Sequence, residues 1–324
     1  LTVRSALPQE RLAQRISATF THEPEASDFG FVMHNAVDID LATSAQRYRE
    51  FHSDWSQRVA AEADWLRRHR VDAVLSNVAY LPLAAAAQAG IAAVGLCSLN
   101  WADLFAHYFG KEVWAGQIHG QMLAAYNAGR GFMRVTPGLP MDSVKHFDVA
   151  PIAQIGRRDR RRVAQLLKLD ENERWILLAM GGMEFRLPVE IWPHTPGLNW
   201  LLPGEWNGQR DDVHSIDVEG LTFGDLLASV DAVVTKPGYG TFVEAACSGI
   251  PILYLQRDDW PETPHFAAWL ATHARAEVLS REQLLAGDFI DDLQKLWHTL
   301  PPEVPAASGT EQAADWLMAN LGLN

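Results

Sequence analysis

The sequence predicts an α/β protein made of two doubly wound parallel-sheet domains facing a cleft. Three observations carry this. Strand and helix patterns alternate in two blocks on either side of a turn-rich seam between Pro140 and Gly156. The strands of both blocks are apolar throughout, as in parallel sheets covered on both faces. A strand, a glycine-rich turn and a helix then follow one another over residues 231–251, the arrangement whose ligand site lies at the strand C-termini.

In chain order, Ala45 to Arg70 reads as one long amphipathic helix. Its aromatic stripe (Tyr48, Phe51, Trp55) is most simply core packing. Asp72 to Asn77 is a buried strand. Pro82 to Gln88 is a helix with proline in its first turn and Gly90 as C-cap. Ile91 to Cys97 is the next strand, and Phe132 to Pro140 is strand-like and then turn-rich. Past the seam, 157–169 begins a helix whose arginines suit a solvated face. Arg174 to Met180 is a strand running into Gly181-Gly182. Trp200 to Leu202, Ala232 to Thr235 and Pro251 to Leu255 are strands, with helices at Leu221 to Ser229 and Phe242 to Ser248.

The 324 residues suit two domains of roughly 150 each. Lysine and arginine number 27 against 40 acids, a net charge of −13. That balance argues against nucleic acid or an anionic membrane held by bulk electrostatics, and leaves room for a local basic phosphate pocket. Cys97 and Cys247 read as reduced thiols of a cytoplasmic protein, too few for a zinc or iron–sulfur cage. No signal peptide is legible, and no apolar run reaches the ~18 residues of a membrane span.

The chemistry concentrates in Asp231-Ala-Val-Val-Thr-Lys-Pro-Gly-Tyr-Gly-Thr-Phe-Val-Glu244. Gly238 and Gly240 admit a close ligand approach or a positive φ. A helix starting near Gly240 or Thr241 offers free N–H groups to a phosphate, and Thr241 can cap it or donate to a phosphate oxygen. Lys236 adds a cation at the strand end. Glu244, near the end of the first helical turn, can accept two hydrogen bonds from a ribose diol one moiety away.

These residues resemble the donor-binding motif of GT-B glycosyltransferases: histidine-x-glycine, a spacer, a small hydroxyl residue and a glutamate. Lys236 takes the histidine's place, Gly238 matches the glycine, Gly240 and Thr241 the phosphate turn, and Glu244 the ribose ligand. Over most of its length the chain is more closely similar to the glycosyltransferase-like region of plant L-arabinokinases and its stand-alone bacterial relatives. The similarity rests on Lys236, Gly238-Tyr239-Gly240-Thr241, Glu244, Arg257-Asp258 and Glu262-Thr263-Pro264, and on Ala63 to Leu66, Val71 to Ser76 and Ser98 to Trp101.

The resemblance implies two Rossmann-like domains, 1–148 on the acceptor side and 149–307 on the donor side, with the helix at 308–324 returning to the first. Gly309 and Thr310 are then expected close to the cleft. The resemblance further implies transfer of a glycosyl group from a nucleotide-diphosphate sugar, a UDP-sugar, to an acceptor the sequence does not name, without metal or other cofactor. Lys236, Gly238, Gly240, Thr241 and Gly182 would hold the diphosphate and Glu244 the ribose. Arg257, Asp258, Asp259 and Glu262 would meet the sugar, with Arg257 able to face the diphosphate and Trp260 stacking on the sugar. In the resembled family the catalytic base lies on a loop upstream of a strand like Leu1 to Ala6, so the first strand is expected to be absent here. His34, Asp38, Asp40, Asp103 and His107 remain as candidates. A nucleotide-sugar hydrolase or 2-epimerase on the same fold, and a non-catalytic sugar-nucleotide-binding module, are the alternatives. No Walker loop, dinucleotide fingerprint, zinc-protease motif or serine-hydrolase elbow occurs.

Overall fold

The structure, a computed structural model, describes residues 1–181, 185–206 and 210–322. Strands β1 (Thr2–Arg4) and β2 (Thr21–Glu23) form a parallel pair. Strands β3 (Ala73–Ser76), β4 (Ala92–Cys97), β5 (Phe132–Val135) and β6 (His146–Val149) form a parallel sheet in chain order. A second, six-stranded parallel sheet contains β7 (Arg174–Ala179), β8 (Leu198–Leu202), β9 (Val213–Ser215), β10 (Ala232–Thr235), β11 (Ile252–Leu255) and β12 (Ala276–Leu279). Its order is β12-β11-β10-β7-β8-β9.

The unbroken apolar strands are explained by what covers them. Neighbouring residues of a strand point to opposite faces. Leu178, Val234 and Leu253 pack with Trp192, Trp200 and Phe289 on one face of the larger sheet. Leu177, Val233 and Ile252 pack with Phe242 and Phe266 on the other. In the smaller sheet Val94, Met133 and Val135 meet helix Gly309–Asn320, where Trp316 stacks on Phe147 at 4.8 Å. The opposite side holds an aromatic core around Tyr48, Tyr80, Phe105 and Tyr126. The β1–β2 pair stands outside both larger sheets. Among the described residues no strand pairs with the outer edge of β3, where Leu75 is 51% exposed.

The long amphipathic helix departs from expectation. The stretch Ala45 to Arg70 forms two helices, Leu41–Ser53 and Trp55–Arg68, broken at Asp54 (φ −118°, ψ 28°). Ser53 Oγ donates to the Glu50 carbonyl at 2.7 Å and Asp54 accepts from Arg58 at 2.6 Å. Two short polar side chains thus compete for local partners at the break. The stripe of Tyr48, Phe51 and Trp55 lies in the aromatic core.

Residues 150–159 carry the chain from β6 to the larger sheet, and helix Gly309–Asn320 brings it back. The two crossovers touch: Gly309 N donates to the Pro151 carbonyl at 3.0 Å, and Ala150 N to Gln312 Oε1 at 2.8 Å. Gly309 sits so close that a Cβ there would lie 2.0 Å from the Ala150 oxygen. That places Gly309 on the linker.

Candidate functional site

In the larger sheet the chain runs outward from β7 through β8 and β9, then returns to place β10 on the other side of β7. The β7–β10 junction is therefore the topological switch point, where the diverging connections leave a crevice beyond the strand ends. Three neighbouring strands deliver the site there: β7 ends before Gly181, β10 before Lys236 and β11 before Arg257. Thr235 Oγ1 donates to the Ala179 carbonyl at 2.6 Å and fixes the two central strand ends together.

Helix Tyr239–Cys247 starts one to two residues before the expected Gly240 or Thr241, with Gly238 as its N-cap. No side chain caps it, so Thr241 lies inside the first turn and the terminal N–H groups remain open. Neither motif glycine has a positive φ: Gly238 is extended at −173° and Gly240 is helical. Their use is space, since a Cβ on Gly240 meets nothing within 4 Å and one on Gly238 would lie 3.7 Å from Lys236 Nζ. The positive φ belongs to Gly181 (+89°), where a Cβ would sit 3.0 Å from Lys236 Cε. Gly182 lies outside the described residues.

The electrostatics centre on Lys236 and Arg257. Burial, then Arg257, pushes the Lys236 pKa below the ordinary lysine value, against the pull of Glu262. Arg257 is 6% exposed. Its guanidinium lies 4.4 Å over the Trp260 ring and Nε donates to Asp259 at 3.3 Å, while Nη2 is buried without a partner. Two cations in one crevice, one with an unused buried donor, are stabilised by an anion.

The loop after β11 divides into two. Asp258 and Asp259 are exposed, Asp258 accepting from Gln256 at 2.8 Å. Glu262 is 4% exposed, and both its oxygens are engaged. Ser98 Oγ, at the end of the smaller sheet, donates to Oε1 at 2.7 Å, and Trp260 Nε1 donates to Oε2 at 2.9 Å. Glu262 thus ties the two sheets together, and burial raises its pKa. Tyr108 bonds the Asp259 carbonyl across the same cleft. Glu244 is 6% exposed, and its Oε1 accepts from Arg15 Nη1 at 2.6 Å, which also donates to Gln154 at 2.8 Å.

Of the five candidate bases, His34, Asp38 and Asp40 share one short segment, and Asp103 and His107 share a helix. Asp40 caps a helix through Thr43 N at 2.9 Å, 4.0 Å from His34. Asp103 and Asn100 bond each other at the start of helix Trp101–Phe109. Asp38 pairs with Arg281 across the cleft at 3.2 Å, and His107 packs on Tyr108.

Sequence reasoning missed Asp28. Trp101 Nε1 donates to it at 3.0 Å, and burial raises its pKa to about 6. Nearby, burial lowers His52 to about 4. The unfolded chain binds the His52 proton near pH 6.5, so this histidine contributes stability that is lost as pH falls from 6.5 toward 4. Asp28 has the opposite sign: its cost grows as pH rises from about 4 to 6, because only the unfolded carboxyl ionises freely there. Asp28→Asn is therefore expected to raise stability near pH 8 by roughly 2 kcal/mol and to expose a steep acid loss between pH 6.5 and 4. Urea titrations across that range check it, and an unchanged pH profile refutes it.

No family model matches the chain. The curated L-arabinokinase of Arabidopsis thaliana is 24% identical over 294 residues, which cover 89% of this chain and 28% of that protein. The chain thus spans just over a quarter of that relative's length. Arabidopsis thaliana UGT89C1 complexed with quercetin matches with a TM-score of 0.60 at 14% identity, over 99% of this chain and 92% of that one, and its complex with UDP with 0.56. The glycotransferase of kitacinnamycin matches at 0.55 and 17% identity over 85% and 83% of the two chains. A putative UDP-N-acetylglucosamine 2-epimerase from Listeria monocytogenes matches at 0.50 and 13% over 83% and 79%. The fold is that of GT-B glycosyltransferases.

Proposed function

We propose that this chain binds a nucleotide-diphosphate sugar, a UDP-sugar, at the β7–β10 switch point and transfers its glycosyl group to an acceptor. The observation that carries the reading is the unpartnered, buried Arg257 Nη2 beside the desolvated Lys236, at the open end of helix Tyr239–Cys247. A diphosphate supplies the missing acceptor atoms, neutralises both cations and meets the helix N-terminus. Lys236, Gly238, Gly240 and Thr241 form its cradle, and Glu244 accepts the ribose hydroxyls. Charge developing on the leaving diphosphate is stabilised by these groups, already in place before the reaction. Asp258 and Asp259 are the exposed carboxylates toward the sugar. Glu262 acts by holding the loop to Ser98.

Glu244→Ala is expected to weaken UDP binding at least about tenfold, the loss of one or two hydrogen bonds to a charged group. Calorimetry checks it, and unchanged affinity removes the ribose assignment. The epimerase neighbour supports a second reading on the same site. Consumption of UDP-sugar with no acceptor, giving free sugar or an isomer, would favour it over transfer.

A further inference from the structure

We infer that Tyr239, in the middle of the glycine-rich turn, is a positioning residue that ties the donor-binding turn to the interdomain linker, an inference that rests on the nucleotide-sugar reading. Its backbone opens the helix that faces the crevice, while its side chain points away toward the junction of the two halves. The hydroxyl accepts from Ile152 N, in the linker, at 2.9 Å and donates to the carbonyl of Thr136, just after β5 of the smaller sheet, at 3.2 Å. The ring packs against the core of the larger sheet, 6.4 Å from Phe266, and also against the core between the smaller sheet and the returning helix. One side chain thus joins both domain cores, the linker and the donor turn.

A tyrosine is suited to this place. Its ring fills the seam at low conformational cost and its hydroxyl serves as donor and acceptor at once. The linker around it is held at close intervals, by Gly309 N on Pro151 and by Arg157 N on Asp225 Oδ1 at 2.8 Å. Between those anchors Ile152 N has the Tyr239 hydroxyl. A ligand on the Tyr239–Thr241 N–H groups orders the helix start, and the ring carries that order to the linker. Glu244 touches the same linker through Arg15 and Gln154, so both ends of this helix segment meet it.

The test compares wild type with Tyr239→Phe, which keeps the ring in both cores and removes only the hydroxyl. Amide exchange at Ile152 is followed with and without UDP, and UDP affinity is measured by calorimetry. Exchange at Ile152 is expected to be about tenfold faster in the variant, the loss expected for one buried hydrogen bond. UDP affinity should stay within about twofold, since the turn's own N–H groups are intact. UDP should slow Ile152 exchange in wild type and not in the variant, a readout that simple loosening of a core does not produce. Equal Ile152 exchange in both proteins, or equal slowing by UDP in both, would overturn the inference. So would a tenfold loss of UDP affinity, which would make the Tyr239 side chain a ligand contact. A wild type that takes up no UDP would refute the nucleotide-sugar reading and the coupling with it. The tie between hydroxyl and linker would still be judged by the exchange difference alone.

Discussion

Arg257→Met is expected to weaken UDP binding by about ten- to a hundredfold and to leave the empty protein as stable as before, or more so. Hydrogen bonds from a cation to a charged acceptor contribute roughly 1.5–3 kcal/mol. In the empty protein Arg257 is a liability: Nη2 is buried without a partner and the guanidinium holds down the Lys236 pKa. Methionine keeps the stem's volume against Trp260 while removing the orphan donor and the repulsion. Affinity and stability therefore move in opposite directions. The pH dependence follows from the same charges. With Lys236 depressed by burial and then by Arg257, UDP affinity falls as pH rises, before the ordinary lysine value of about 10.5 is reached. In the variant one cause is gone and the fall moves to higher pH. Calorimetry with urea titration decides the case. If affinity and stability fall together, Arg257 is a structural residue whose contacts to Trp260 and Asp259 outweigh its open donor.

The parts of this site that lie close together in sequence were legible because they share one local unit. Strand, turn and helix from Ala232 to Cys247 are neighbours along the chain, so Lys236, Gly240 and Thr241 had to lie near one helix start, with Glu244 one turn on, wherever the unit packed. The parts that depend on how the two halves meet were not. Arg257 and Glu262 read as members of one loop group at the sugar, Arg257 able to face the diphosphate. The fold turns Arg257 under the crevice and Glu262 toward Ser98, 164 residues earlier. Arg15 reaches Glu244 from 229 residues away with no local signal at all. The break at Asp54 was missed because the apolar stripe continues across it, and the stripe reports which face is buried rather than whether the backbone is unbroken. Asp28 had a visible partner type in Trp101, but an acid in a loop signals nothing until its burial is known.

Gly156 marked only the seam in the sequence, yet Gly156→Ala is expected to lower stability by roughly 3 kcal/mol or more. A Cβ there would lie 1.9 Å from the carbonyl carbon of Gly224, 2.1 Å from its oxygen and 2.3 Å from Asp225 N. Those atoms are backbone, so no side chain can move aside. The linker must separate from helix Phe223–Leu227, straining Arg157 N to Asp225 at 2.8 Å and Asp159 N to Ser229 Oγ at 3.1 Å. For domains of this size the melting temperature should fall by roughly 6–12 °C. Gly120→Ala is the control. It lies inside helix Ala115–Asn127, where a Cβ meets nothing within 4 Å, and alanine there should stabilise by about 0.5–1 kcal/mol. Equal melting temperatures for the two variants would mean that the linker yields without cost. In that case the linker would not fix the angle between the sheets, and the cleft between them would have to be closed by the ligand. A large loss confined to Gly156→Ala instead makes the linker a rigid spacer, with the glycine-rich turn and the smaller sheet held in register before anything binds.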